Sequence, residues 1–431
     1  MMHLSDHAIT LPKKKLAICI FNRATYARCK SVIKELSKFP HIDLTVILSS
    51  SLLMEEFGNA AQEYIIGDSN NVHIELIDTG PNLSTGLGIC RSSSRILDLF
   101  SSYFHSLSFD AVIVVADRFE TLPAAMAASY QNIPVIHIQG GETTGNIDDR
   151  VRHAVTKIAD YHFAATELSK EYILHMGEDQ RRVHQTGCPS IDLIFTNKIK
   201  RWHPKEKYIL CIFHPETENV QEAYDQTKTV LESVLEYCMQ FGTRCYWYYP
   251  NPDPGRAEII GLLDSILSQQ KDFLIKAINK DPVLFMRQLA GAQFIIGNSS
   301  CGIRESSFIG LPAIDIGDRQ LYRERASNVI TVKHNKEQIK KAMIVQLRES
   351  RHKTSYVFGI GKAGKAIAHY ISKMDFMLKG TLTYPFHSKF KERHFGEGRF
   401  ELQKKRHRNT SAEQAKRKSL HSSAEPSAIP G

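Results

Sequence analysis

Residues 110–141 read DAVIVVADRFETLPAAMAASYQNIPVIHIQGG. Two apolar runs, Asp110–Asp117 and Ile133–Gln139, flank a stretch of helical periodicity, Arg118–Gln131. Both runs are almost continuously apolar, as strands are when helices cover both faces of a parallel sheet. A strand, a helix and a second such strand make a right-handed crossover unit. The pattern extends in both directions. Lys15–Phe21, Ile42–Ser49, Val72–Asp78 and Tyr161–Thr166 are predicted strands, and Tyr26–Phe39, Arg91–Ser106 and Asp148–Ala159 predicted helices. Regular alternation of β and α predicts an α/β fold with a doubly wound, Rossmann-like sheet.

The second half repeats the theme, with predicted strands at Tyr208–Phe213, Thr243–Tyr249, Phe273–Ile278, Phe294–Gly297, Ala313–Ile316 and Val329–Val332. A polar stretch near 190–206 reads as a linker between the halves. The expected organisation is a domain over 1–190, a second over 191–385 whose last helix packs back on the first, and a basic, disordered tail over 386–431. A length of 431 residues suits two domains. Two tandem doubly wound domains imply a ligand cleft between them, at the carboxyl edges of the strands.

Composition narrows the function classes. Hydrophobic residues make up 42% and charged residues 23%, ordinary for a soluble globular chain. No apolar run approaches the roughly 20 residues that span a bilayer, so no membrane partner is expected. Lys13–Lys15 lead straight into a short strand and not into a signal-peptide core, which predicts a cytoplasmic protein. Eight scattered cysteines, none as C-x-x-C, read as free thiols in a reducing compartment. Residues 388–431 carry eleven Lys/Arg and five Glu, so most of the net charge of +9 sits in the tail and does not mark a specific nucleic-acid partner. Gly359–Gly364 fits G-x-G-x-x-G, but no βαβ unit with a ribose-binding acid follows, so it reads as a turn before a helix at Lys365–Met374. The 19 histidines show no metal-ligand spacing, and neither metal nor cofactor is expected.

Charged and hydroxyl residues cluster at the predicted carboxyl edges. Arg23 follows the first strand at a helix start, a place suited to an anion. Asp117, Arg118 and Glu120 follow the strand at 111–116. Gln139, the Gly140–Gly141 pair, Glu142, Asp148 and Asp149 follow the next strand, where glycines let backbone approach a ligand. Helical spacing places Asp148 beside Arg152 and Asp149 beside His153, carboxylates able to divide proton transfers. Asn298–Ser299–Ser300 offers hydroxyls to phosphate, Glu305 can accept the two hydroxyls of a ribose, and Arg319 can reach the same phosphates. Taken one at a time, each cluster also fits a capped helix with surface ion pairs.

Taken together they resemble the UDP-N-acetylglucosamine 2-epimerase family, chiefly its hydrolysing branch of bacterial sialic-acid-pathway type and the epimerase domain of the bifunctional UDP-N-acetylglucosamine 2-epimerase/N-acetylmannosamine kinase. The resemblance is carried by Cys-Ile-Phe-Asn-Arg-Ala-x-Tyr (19–26), Asp-Arg-Phe-Glu (117–120), His-Ile-Gln-Gly-Gly-Glu (137–142), Gly-Asn-Ile-Asp-Asp-x-x-Arg-His-Ala-x-Thr-Lys (145–157), Gly-Cys-Pro-Ser-x-Asp (187–192) and Ile-Gly-Asn-Ser-Ser-Cys-Gly-x-Arg-Glu (296–305). It covers roughly 15–375, with His214-Pro215 and Pro250-Asn251 between those motifs. It implies the glycosyltransferase-B architecture, two Rossmann-like domains around a cleft. It also implies a homo-oligomer, a dimer or tetramer, acting on a UDP-sugar without a cofactor. The implied reaction eliminates UDP from UDP-N-acetylglucosamine and adds water, giving N-acetylmannosamine for sialic-acid-type synthesis. Asn251, Ser299, Ser300, Glu305 and Arg319 would hold UDP, with Arg23 and Arg118 reaching across. Asp117, Gln139, Glu142, Asp148 and His214 are the implied catalytic positions. This chain departs from the pattern at three of its residues. Gln139 stands where relatives often have glutamate, and Ala27 and Arg28 where the bifunctional enzyme has Ser and Lys. A neutral amide cannot take a proton at pH 7, so Glu142 or Asp149 would assume that role. Otherwise the chain binds a UDP-sugar with weakened chemistry, which Gln139→Glu would restore. A UDP-2,4-diacetamido-trideoxyhexose of legionaminic-type pathways is the alternative substrate.

Overall fold

The computed structural model describes residues 12–54, 71–80, 85–216, 219–250, 255–267, 269–270, 272–278, 281–349 and 352–379. Asn251 and the basic tail lie outside the described residues. Seven strands form the first sheet: β1 (Lys14–Ile20), β2 (Ile42–Ser49), β3 (Val72–Ile77), β4 (Ala111–Val115), β5 (Val135–Ile138), β6 (Tyr161–Ala164) and β7 (Val183–Gln185). Their order is β3-β2-β1-β4-β5-β6-β7, with every pairing parallel. Helices α1 (Arg23–Leu36), α2 (Gly86–Ser106), α3 (Thr121–Ser129), α4 (Ile147–Ile158) and α5 (Glu167–His175) make the crossovers. The second sheet joins β8 (Tyr208–Ile212), β9 (Arg244–Tyr248), β10 (Leu274–Ala277), β11 (Ile295–Gly297), β12 (Ala313–Ile316) and β13 (Val329–Val332) in the order β10-β9-β8-β11-β12-β13, again all parallel. Strand order reverses beside β1 and beside β8, the switch points where such sheets open a crevice.

Continuous apolar burial explains the sheets. All five residues of β4 and all four of β5 are buried, as strands sandwiched between helix layers must be. Helices α1, α2, α4 and α5 start where side chains satisfy orphan N–H groups. The Asn22 side chain accepts from the Thr25 N–H at 2.8 Å, so α1 begins at Arg23, three residues earlier than periodicity suggested. Thr85 caps α2 through the Gly88 N–H at 3.1 Å. Conversely, α3 begins only at Thr121, which leaves Asp117, Arg118 and Glu120 on the connecting loop.

Part of the expected linker is helical. Residues Pro189–Thr196 form α6, with proline pre-set in its first turn and Ile191 and Ile194 buried. The stretch beyond it, towards β8, is irregular and opens in a turn at Lys198, whose φ is +51°. The final helix, α12 (Ala363–Lys373), packs on α1, and Ile367 and Ile371 enter the core of the first sheet. The G-x-G-x-x-G turn before α12 holds protein and not phosphate. The buried Asp192 carboxylate accepts from the Ala363 and Gly364 N–H groups at 2.9 and 2.6 Å, occupying that helix start. Among the described residues no helix is long and apolar enough to cross a membrane, and no cluster of His, Cys, Asp or Glu is placed to hold a metal.

His137, on β5, is fully buried, donates from Nε2 to the Ala116 carbonyl at 2.9 Å and faces the Thr156 hydroxyl with Nδ1. Burial, reinforced by the nearby Arg152 charge, pushes its imidazole down from 6.5 to about 3. The unfolded chain therefore binds a proton that the fold refuses, and stability rises with pH across that window and falls as pH drops below 6.5. The expected loss is up to about 1.4 kcal/mol per pH unit. Urea unfolding between pH 7 and pH 4 should show this slope in wild type and a shallower one in His137→Gln; equal slopes would mean that His137 does not titrate this way.

Candidate active site

A cavity of about 570 Å³ opens where the carboxyl ends of the two sheets face each other. The β1 end supplies Arg23 and Arg28, the β4 end Asp117 and Arg118, and the loop after β5 Asp148. Opposite them stand His214 after β8, Ser299 and Ser300 after β11, Glu305 on α10 (Arg304–Ile309), and Arg319 after β12. Two hydrogen bonds from side chains of the first half to backbone carbonyls of the second close its rim. The Thr143 hydroxyl donates to the Tyr322 carbonyl at 3.3 Å, and the Asn146 amide to the Arg319 carbonyl at 3.4 Å. Tyr248, stacked edge-on against Phe285 on α9 (Pro282–Gly291) at 5.2 Å, gives one end of the cavity an apolar wall.

Eight Lys/Arg side chains and three carboxylates line this space, which favours an anionic ligand. The second half holds its edge rigidly. Asn298 accepts from the His214 N–H and donates to the His214 carbonyl, both at 2.8 Å, pinning the end of β11 to that of β8. Gly297 allows that closeness, because its φ is +132° and a Cβ there would lie 2.0 Å from the Ile212 carbonyl oxygen. The Arg304 guanidinium donates to the Ser300 hydroxyl at 2.7 Å, which orients the hydroxyl at the cavity wall.

On the first half, β4 and β5 both end in left-handed residues, Ala116 at φ +61° and Gln139 at φ +63°. Side-chain-bearing residues tolerate this conformation at a cost and concentrate near functional sites. Asp117 follows immediately and pairs with the wholly buried Arg152 of α4. Burial alone would raise the Asp117 carboxyl, but Arg152, Arg28 and Arg323 overcome it and hold the group well below the usual carboxylate range. Burial also lowers the Arg323 guanidinium, to about 10, and lowers that of Arg28, with help from the Arg304 charge. Arg323 remains cationic at neutral pH.

Several expected roles need correction. Asp149 acts on His153 only through its charge and makes no hydrogen bond to it. It accepts from the Thr144 and Gly145 N–H groups and the Thr144 hydroxyl at 2.7–3.0 Å and pairs with Arg152, so its oxygens are saturated in shaping the loop. Arg152 is accordingly the partner of Asp117 and Asp149 instead of Asp148. Glu142 does not line the cavity. Its carboxylate is 5% exposed and held by Arg304 and Arg323 from the opposite half, so it clasps the halves together and is not placed to meet substrate. The glycine pair approaches protein and not ligand: a Cβ on Gly141 would lie 2.0 Å from the Ser169 carbonyl oxygen, and one on Gly140 2.8 Å from the His137 ring. Gln139 is 1% exposed beneath the cavity wall, and its amide donates to the Cys188 sulfur at 2.9 Å. Gln139→Glu is therefore expected to cost about 2 kcal/mol or more and to bring no gain in turnover, because a carboxylate would face that sulfur out of water. Faster turnover with unchanged melting would instead show that position 139 serves chemistry.

Arg304 and Arg323 were not anticipated as site residues, and Arg28 only as a departure from the family pattern. Arg304 lies two residues after the Asn-Ser-Ser-x-Gly motif, in the turn that opens the next helix, and that position is the signal for it; nothing in the periodicity singles out Arg323.

Two all-parallel doubly wound sheets meeting at a cation-lined cleft define a protein of the glycosyltransferase-B fold type. A family model described as UDP-N-acetylglucosamine 2-epimerase matches residues 34–372, and the chain belongs to that family. It is 30% identical over 361 residues to the UDP-N,N'-diacetylbacillosamine 2-epimerase (hydrolyzing) of Legionella pneumophila, covering 82% of this chain and 94% of that one. It is 28% identical over 335 residues to the UDP-N-acetylglucosamine 2-epimerase of Neisseria meningitidis, covering 73% and 83%. The fold is shared with the Methanocaldococcus jannaschii UDP-GlcNAc 2-epimerase solved in complex with UDP-GlcNAc and UDP, at a TM-score of 0.68, 20% identity, and coverage of 84% of this chain and all of that one.

Proposed function

We propose that the chain is a hydrolysing 2-epimerase that converts UDP-N-acetylglucosamine and water to N-acetylmannosamine and UDP. One observation carries the reading: Asp117 and Asp148 share a single cavity with Ser299, Ser300, Arg319 and the further arginines of its walls. The cations and hydroxyls suit a diphosphate. Glu305 suits the ribose, and the Tyr248–Phe285 wall suits the flat face of a base.

The chemistry then divides between the halves. A carboxylate of the first half takes the proton from sugar C2 while the C1–O bond breaks, its electron pair leaving with the β-phosphate of UDP. A C1–C2 double bond results. Water adds its hydroxyl to C1, and C2 regains a proton from the opposite face, which inverts that centre. Asp148, at the start of α4, and Asp117 are the proposed proton carriers. Asp117 as it stands is too strongly ionised to be an effective base. A diphosphate that draws Arg28 and Arg323, which line the same cavity, would weaken their hold and raise its basicity.

The Legionella pneumophila relative supports a second reading, in which the sugar is a UDP-2,4-diacetamido-2,4,6-trideoxyhexose. The two differ only at C4 and C6, where pocket contacts decide. Turnover of both UDP-sugars, followed for UDP and free sugar together by NMR, tests both. Release of UDP with the C2-inverted free sugar supports hydrolytic epimerisation and names the substrate. UDP-sugar epimers without free UDP would overturn hydrolysis. UDP binding with no turnover of either sugar would leave a binding protein.

A further inference from the structure

Glu305 presents an anomaly. Its side chain is 5% exposed, it lines the cavity, and its Oε2 meets no donor within the protein. A buried carboxylate oxygen left without a partner is costly unless a ligand supplies one. Its other oxygen, Oε1, is fixed from behind by the Ser190 hydroxyl of α6 at 2.5 Å.

Ser190 does not act alone. Its Oγ lies 2.9 Å from the Cys188 sulfur, and that sulfur accepts from the Gln139 amide at 2.9 Å. A serine hydroxyl has one hydrogen, and here Glu305 receives it, so the Cys188 thiol must be the donor to Ser190. Every hydrogen in the chain therefore points the same way, from Gln139 through Cys188 and Ser190 to Glu305. All four residues are at most 5% exposed, so no water competes for these bonds. A neutral amide at position 139 suits this polarity, because an ionised carboxylate there would have no hydrogen to give.

We infer that Ser190, backed by Cys188 and Gln139, is a positioning residue that locks the Glu305 carboxylate with Oε2 turned to the ligand, and so sets selectivity for a vicinal diol such as that of a ribose. The inference rests on the reading of the cavity as a UDP-sugar site and adds to it the residues that govern recognition at the sugar of the nucleotide. Without Ser190, Oε1 loses its anchor and the carboxylate gains rotamers, so the diol loses its fixed acceptor while the phosphate groups keep theirs.

Calorimetric titration of UDP, 2′-deoxy-UDP and inorganic pyrophosphate into the full chain separates these claims. Wild type should prefer UDP to 2′-deoxy-UDP by about tenfold or more, the worth of a hydrogen bond to a charged group. Ser190→Ala should bring that ratio close to one while pyrophosphate affinity stays unchanged. A purely structural defect would weaken all three ligands alike and leave the ratio intact, which would overturn the proposal. Cys188→Ala removes only the middle donor and should lower the ratio part of the way; it serves as the reading should Ser190→Ala be recovered insoluble. A wild type that binds no UDP would sink the UDP-sugar reading itself. UDP binding with a ratio that neither substitution moves would sink only the role given to Ser190.

Discussion

Arg152→Ala is expected to destabilise the protein by about 3–5 kcal/mol, the usual consequence of removing one partner of a buried ion pair. Arg152 is wholly buried, pairs with Asp117 and Asp149, and donates to the Glu142 carbonyl at 2.6 Å. It thereby joins the end of β4, the loop after β5 and the body of α4 in one planar fork. Asp149 has other donors from Thr144 and Gly145 and survives the loss. Asp117 would keep only the longer-range help of Arg28 and Arg323. The pH dependence identifies the cause. The Asp117 carboxyl is depressed in the fold, so its contribution is complete above the unfolded value of about 4 and disappears as pH falls further. The gap between wild type and Arg152→Ala in urea unfolding should therefore be full at pH 7 and narrow below about pH 4. A gap under about 1 kcal/mol at pH 7, the range of unremarkable substitutions, would show that the fork contributes nothing.

The same fork marks where sequence patterns stop being informative. Apolar continuity is a property of consecutive residues, so β4, β5 and most strands of both sheets are legible from Asp110–Asp117 and its counterparts. Strand β7 is not, because three residues with a single fully buried member, Val183, carry no period. Helix α6 escapes for a related reason: it is eight residues long and lies between segments that read as polar. In the site, the carboxyl-edge rule picks out Arg23, Asp117, Arg118, Asp148, Ser299, Ser300, Glu305 and Arg319, and the family resemblance adds His214; all of them line one cavity. What it does not fix is the partner of each charge. The i,i+4 rule ties Asp148 to Arg152, yet the long guanidinium reaches Asp117, 35 residues earlier, and Asp149 one turn away. Glu142 shows the same limit. A carboxylate beside two glycines looks free to work, and only the packing of the halves brings Arg304 and Arg323 onto it.

Asp117→Asn is expected to lower kcat/KM by about 10²–10⁴-fold, the range for loss of a positioned acid–base group. Affinity for UDP should hold or improve, since the substitution removes a negative charge from a cavity with eight cations and three carboxylates. That split matters, because the Asp117–Arg152 pair also supports the fold. A variant that merely collapsed the cavity would lose UDP binding together with turnover, and melting in the presence of UDP would report it. The wild-type pH profile offers a further check. With its carboxyl held well below the usual range by Arg152, Arg28 and Arg323, Asp117 of the free enzyme is ionised throughout the neutral and mildly acidic range. It should place no acid limb on kcat/KM above about pH 4. The profile of kcat reports the complex instead. If bound diphosphate draws Arg28 and Arg323 away, the limb in kcat should sit at higher pH than that in kcat/KM. Turnover of Asp117→Asn equal to wild type would remove Asp117 from the chemistry and leave it as a counter-charge to Arg152.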